Sequence, residues 1–289
     1  MIIACATDES YAEMAGVLLR SIRLKGDVPD AEIVVVGDRL SEATVDALRV
    51  CGEGLKFRHL DLGEARGVIA GLPVSAYRTA IHIRLLLPDL IEGDDRLLYL
   101  DADTLVNGSL RPLFELDLGS NLLAAVEDCG KEQVRLVANP RIGSPPDAPY
   151  YNSGVLLFEL GEWRRLGIGR QCMRCAAERD DFWPDQDAIN IVLRGRIQTL
   201  EPSWNFFSRE RLPRRAFEEA RILHFITAKP LSADCGHPLF DEYLAIRRTT
   251  PWGDKPLTGS ARERQIDRLK QVAMMRLRRA RASEAPSAS

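Results

Sequence analysis

Short strand-like runs and amphipathic stretches alternate along the first half of the chain. Residues 2–7, 32–37, 56–60 and 96–100 have strand length, and Glu32-Ile33-Val34-Val35-Val36-Gly37 is a continuous β-branched run, as expected of a parallel strand covered on both faces. Between them, residues 10–25, 41–50 and 75–91 space their apolar positions as helices do. Strand and helix in turn predict parallel strands joined by crossover helices, a Rossmann-like half. The second half is less regular. Strands are expected at 121–127 and 153–159, helices at 162–179 and 184–194, and short strands near 197–200 and 221–225. The whole reads as an α/β chain with a mixed β-sheet flanked by helices. Residues 139–149 are too rich in Pro and Gly for regular structure, and predict a loop of the kind that closes over ligand crevices.

Length and charge sharpen this picture. The 289 residues fit one large domain, and 45% hydrophobic residues can fill its core. The net charge of −3 hides an asymmetry: residues 261–281 carry eight Arg or Lys against Glu263 and Asp267, so the preceding body is acidic. Residues 256–281 are read as a basic amphipathic helix after a domain spanning 1–255, and 282–289 as a disordered tail. The helix suits either peripheral contact with an anionic membrane through 260–281 or plain solvation against the body. An acidic body, with the basic cluster confined to one terminal helix and no aromatic residues interleaved in it, argues against nucleic acid. No apolar stretch approaches the roughly 20 residues that cross a bilayer, and no leader or cleavage site precedes Ile2, so a cytoplasmic protein is expected, with the inner membrane face as a possible location. The six cysteines form no disulfide framework, and Cys172-Met173-Arg174-Cys175 lacks the second pair that a structural zinc needs.

The chemistry concentrates where the apolar run Arg96-Leu97-Leu98-Tyr99-Leu100 ends in Asp101-Ala102-Asp103. Side chains two apart on an extended segment point the same way, and a divalent cation reconciles two close carboxylates. A bare Asp-x-Asp also fits an ordinary solvated strand end. Three further segments are unusual in the same direction. Asn152-Ser153-Gly154 stands at a strand entrance, Pro184-Asp185-Gln186-Asp187 opens a helix, and His224 ends a strand five residues before Lys229.

With Ala6-Thr7-Asp8-Glu9-Ser10-Tyr11 at the start, these ordered blocks resemble the retaining glycosyltransferases of family 8, which include bacterial lipopolysaccharide and lipooligosaccharide galactosyl- and glucosyltransferases and the glycogenins. The likeness runs from Met1 to about Trp252. It implies a GT-A fold, a UDP-hexose donor, Mn²⁺ or Mg²⁺, and a glycan or glycolipid acceptor. On matching positions it implies metal ligation by Asp101, Asp103 and His224. Ala6, Thr7, Asp8 and Tyr11 would grip the uridine, and Arg84, Ala102 and Lys229 would meet the diphosphate or its sugar. Asp128, Asn152, Ser153, Gly154 and Asp185 would line the donor sugar, and Gln186 would face the anomeric carbon. An amide is a poor nucleophile, which favours front-face substitution with retention. The chain departs from the family where Thr227 replaces a glycine and Leu231 a tryptophan. A non-catalytic nucleotide-sugar binder on the same fold is the alternative. A sugar-phosphate nucleotidyltransferase would need a Gly-rich phosphate loop that Thr7-Asp8-Glu9-Ser10-Tyr11 does not supply.

Overall fold

In a computed structural model, the strand-like runs of the first half form β1 (Ile2–Asp8), β2 (Glu32–Asp38), β3 (Lys56–Asp61) and β4 (Arg96–Leu100). The structure describes residues 1–63, 79–93, 96–128, 132–179, 183–207, 212–226, 229–233 and 235–257. The basic helix expected over 256–281, apart from its first two residues, and the tail after it lie outside them. These four strands are parallel, with Ile3 beside both Ile33 and Leu98. Helices α1 (Ala12–Lys25), α2 (Glu42–Cys51) and α3 (Thr79–Leu90) lie between them in sequence.

The second half adds β5 (Thr104–Val106), α4 (Arg111–Phe114), β6 (Leu123–Glu127), α5 (Glu132–Arg141) and β7 (Tyr151–Glu159). There follow α6 (Leu160–Arg165), α7 (Ile168–Ala177), α8 (Pro184–Val192), β8 (Ile197–Thr199) and a 3₁₀ turn at Pro202–Asn205. The described chain closes with α9 (Arg214–Glu218), β9 (Ile222–His224) and α10 (Phe240–Arg247). Seven strands form one sheet in the order β3-β2-β1-β4-β7-β6-β8, in which β7 alone runs antiparallel to its neighbours, and β5 pairs with β9 in a separate ribbon. Alternation along β4 and β7 splits the core. Leu97, Tyr99, Leu156 and Phe158 pack with residues of α3, α7 and α8, while Leu98, Leu100, Val155 and Leu157 pack with α1. The expected mixed α/β architecture is present.

Three local expectations change. The helix expected over 162–179 is two helices, broken at Gly167 with φ 61°, a left-handed conformation that glycine adopts without a side-chain clash. The strand expected over 153–159 already begins at Tyr151, paired with Glu127 beyond a register shift, so Asn152, Ser153 and Gly154 sit inside β7. The segment expected as a loop from Asn139 starts as the end of α5. Asn139 is buried, and its Nδ2 donates to the carbonyls of Pro146 and Ala148, closing the rest into a tied turn.

The chain after α10 returns to α1. A Cβ on Gly16 would lie 2.4 Å from the Trp252 ring, so glycine gives that indole its place. Arg247 donates to Glu13 Oε1 at 2.6 Å and to the carbonyls of Gly253 and Lys255. Nearby, His237 stacks edge-on against Phe217 and Phe225, and its Nδ1 accepts the Leu239 N–H. Burial pushes this imidazole down to about 4 from its ordinary 6.5. The unfolded chain then binds the proton more readily between those values, so this contribution to stability is complete above pH 6.5 and is lost as pH falls toward 4. Accordingly, the urea midpoint should drop less between pH 7.5 and pH 5 in His237→Phe than in the native protein; equal drops would assign the acid sensitivity elsewhere.

Candidate active site at the carboxyl ends of the central strands

The carboxyl ends of β1, β4 and β6 and the amino end of antiparallel β7 meet along one edge of the sheet, where open α/β folds form their ligand crevice. Asp101 leaves β4 with its N–H donating to the Gly154 carbonyl at 2.8 Å. Asp103 stands just before β5. The β5–β9 ribbon places Thr104 opposite His224 and brings the imidazole back to the acidic pair across the 120 residues between Asp103 and His224, as a strand register rather than a flexible loop would. His224 Nε2 lies 3.3 Å from Asp103 Oδ1 and 3.8 Å from Asp101 Oδ2. One ligand atom from each residue falls within 4.8 Å of the others, the only such His, Cys, Asp or Glu group among the described residues.

Cations already balance the carboxylates. Arg84 on α3 forks onto Asp101, with Nη2 2.9 Å from Oδ1 and Nη1 3.2 Å from Oδ2. It lies over the Tyr99 ring, whose hydroxyl donates to Asp101 Oδ1 at 2.7 Å. The same guanidinium reaches Asp185 Oδ2 at 3.3 Å and the Ser153 carbonyl at 2.8 Å, while Ser153 Oγ donates to Asp185. Lys229 forms an ion pair with Asp103. Burial pushes the Asp101 carboxyl up, but Arg84, His224, the Tyr99 hydrogen bond and Lys229 outweigh it and hold it below its ordinary value. Burial likewise works against the charge on Arg84, and Asp101 and Asp185 more than restore it. His224 is pushed down to about 4 by burial, against the opposing pull of Asp101, so at neutral pH it is an uncharged imidazole with a lone pair to offer.

Beside this charged group lies an amide network. Gln186, in the first turn of α8, accepts the Ser153 N–H at 3.1 Å and Asn152 Nδ2 at 3.2 Å through Oε1, and its Nε2 donates to Asp128 Oδ2 at 3.1 Å. Asn152 Nδ2 also reaches Asp128 Oδ2. The other carboxylate oxygen, Asp128 Oδ1, is buried without a protein partner, an acceptor in place for a hydroxyl. Asp187 turns away from the crevice and binds Arg141 and the Tyr150 hydroxyl, fixing α8 to α5. A Cβ on Gly154 would lie 2.3 Å from His224 Cε1, so only glycine leaves room for the ring.

The sequence-derived residues Arg84, Asp101, Asp103, Asp128, Asn152, Ser153, Gly154, Asp185, Gln186, His224 and Lys229 are therefore brought together, with Ala102 buried between the two aspartates. The β1 block is arranged differently. Asp8 Oδ1 accepts from Ser10 N–H, Ser10 Oγ and Tyr11 N–H, so this carboxylate oxygen builds the turn into α1. Thr7 Oγ1 donates to the Asp8 carbonyl, Ala6 packs against the core, and Tyr11 is exposed. Two residues escaped the sequence reading. Tyr99 was legible, because it shares a strand face with Asp101. Asn205, in Ser203-Trp204-Asn205, carries no such signal.

The profile of Glycosyl transferase family 8 matches residues 2–234. General stress protein A of Bacillus subtilis (strain 168) is 25% identical over 87% of the chain and 94% of its own length. Lipopolysaccharide 1,2-glucosyltransferase of Escherichia coli (strain K12) is 24% identical over 87% of the chain and 79% of its own. Among solved structures, the galactosyltransferase LgtC in complex with donor and acceptor sugar analogues superposes with a TM-score of 0.70 and 26% identity, covering 87% of the chain and 96% of that protein. The likeness places the fold in the GT-A class.

Proposed function

The chain belongs to glycosyl transferase family 8, a family of glycosyltransferases, and from that premise we propose that it moves a hexose from a UDP-sugar, with retention and with the help of a divalent metal, onto a glycan or glycolipid acceptor. The observation that carries this reading is the convergence of Asp101, Asp103 and His224 at the strand ends beside Lys229 and Gln186. Donors sharing an ion at about 2.1 Å lie within roughly 4.2 Å of one another, so the present spread of 4.8 Å asks for small shifts only. Two carboxylates and a neutral imidazole form a donor set that suits Mn²⁺ or Mg²⁺. When bound there, the ion would act as a Lewis acid toward the donor diphosphate.

The remaining roles fall to this chain's own groups. Lys229, a point charge on a flexible stem, exchanges Asp103 for the β-phosphate and steadies the negative charge that grows there as the anomeric bond breaks. Arg84, held charged by Asp101 and Asp185, orients Asp185 and Ser153 toward the sugar. Asp128 Oδ1 accepts a sugar hydroxyl. Gln186, with its amide fixed at both ends, turns a carbonyl dipole rather than a nucleophile to the positive anomeric centre. The departing phosphate oxygen takes the acceptor's proton on the same face. Ala6, Thr7 and Tyr11 border the uridine, with the turn built on Asp8 shaping the backbone there.

Incubation with a panel of UDP-hexoses and Mn²⁺ should release UDP from one donor, slowly without acceptor and faster with it, and EDTA should stop the release. UDP binding without release under any acceptor would favour the non-catalytic reading. Absence of UDP binding would overturn both.

A further inference from the structure

Asn205 is 2% exposed and hydrogen-bonds through both ends of its amide. Its Nδ2 donates to Asn152 Oδ1 at 2.8 Å, and its Oδ1 lies 2.9 Å from His224 Nδ1. The direction of this chain follows from its one invariable end, because a backbone N–H can only donate. The Gly154 N–H donates to Asn152 Oδ1 at 2.9 Å, so that oxygen accepts. Asn205 must then turn its NH₂ toward Asn152 and its carbonyl toward His224. A carbonyl only accepts, so the His224 proton belongs on Nδ1. Nε2 keeps its lone pair, and Nε2 is the ring atom that faces Asp103 Oδ1 at 3.3 Å. The neighbouring Ser153 N–H sets Gln186 by the same rule, fixing Oε1 as acceptor and sending Nε2 to Asp128.

From this we infer that Asn205 is a positioning residue that fixes the tautomer and ring orientation of His224, presenting Nε2 as a metal ligand and tying that ligand to the Asn152–Gln186 network at the sugar. The geometry stands by itself; its functional meaning rests on the metal role proposed for His224. The opposite tautomer would aim an N–H at the ion position, and loss of an outer partner of this kind weakens metal binding about 10- to 100-fold. Through Asn152 and Asn205 the Gly154 N–H orients the imidazole, while the adjacent Ser153 N–H orients the Gln186 amide directly.

The test uses ¹⁵N-histidine-labelled full chain, whose four histidines keep long-range ¹H–¹⁵N spectra tractable, with His224→Gln identifying the signal. Native His224 should be the Nδ1–H form. Asn205→Leu should shift it toward Nε2–H and weaken Mn²⁺ binding in the presence of UDP, read by calorimetry, by about 10- to 100-fold. Asn205→Asp, which keeps an acceptor for Nδ1–H, should retain the tautomer and most of the affinity. An Nε2–H form in the native protein, or unchanged tautomer and Mn²⁺ affinity in Asn205→Leu, would overturn the assignment. If Asn205→Leu does not fold, the native tautomer and the Asn205→Asp spectrum decide it. Absence of Mn²⁺ binding by the native protein would overturn the metal reading and this role with it, whereas a wrong tautomer with intact Mn²⁺ binding would overturn this role alone.

Discussion

Asp103→Ala should lower kcat/KM for the proposed hexose transfer by about 10³-fold or more, the equivalent of several kcal/mol of lost charge stabilisation at the proposed leaving diphosphate. The carboxylate meets His224 Nε2 and Lys229, and its removal takes away one of three converging donors. The backbone at this position is independent of the side chain: the Asp103 carbonyl accepts the Phe225 N–H at 3.0 Å and holds the β5–β9 ribbon in either case. The variant should therefore fold, and its circular dichroism and thermal midpoint should resemble those of the native chain. Activity should not return with excess Mn²⁺ at concentrations that saturate the native protein. A variant with near-native turnover would remove Asp103 from the metal site and with it the main support for metal-assisted transfer.

The second large effect concerns stability. Arg247→Met should cost about 3–5 kcal/mol, because it leaves Glu13 charged and buried without its partner. The side chains of Arg247 and Glu13 are 5% and 9% exposed, and Lys255, whose ammonium lies 3.2 Å from Glu13 Oε2, is itself more than half exposed and compensates weakly. The same substitution strips donors from the Gly253 and Lys255 carbonyls. For a chain of this size the thermal midpoint should fall by roughly 10 °C. Glu13→Leu combined with Arg247→Met should recover most of the loss, since an apolar pair of similar volume removes the buried charge. If the single variant melts with the native protein, the pair contributes little and the docking of the last described segment rests on Trp252 instead.

The alternating half of the fold was legible because each strand there is a short apolar run between amphipathic helices, and a parallel sheet covered on both faces needs that composition. Ile33 through Val36 could be nothing else. The second half was read less well where local sequence and tertiary pairing disagree. Asn152, Ser153 and Gly154 look like turn residues, yet pairing beyond a register shift draws them into β7. Thr104–Val106 is too short to announce itself and is a strand only because Ile222–His224 runs beside it. The charged residues of the site stood out because carboxylates, a histidine and a lysine at strand ends are unusual company. Asn205 did not, since a buried amide looks like any loop asparagine until the residues on either side of it are known. Asp8 also stands just before a helix, where its Oδ1 satisfies backbone N–H groups, a local use that its place in the uridine-like block does not announce.

The β5–β9 ribbon also sets the order in which a newly made chain becomes competent. Every strand of the seven-stranded sheet has been synthesised once residue 199 is in place, and both aspartates with it. Asn205, His224 and Lys229 come later, and the Arg247 clasp onto Glu13 later still. A polypeptide ending at residue 220 would carry all seven strand segments of the sheet and both aspartates but not the imidazole that completes the group. Completion of the Asp101–Asp103–His224 group thus waits on the last quarter of the chain, and a partial product carries most of the site but not the donor that closes it.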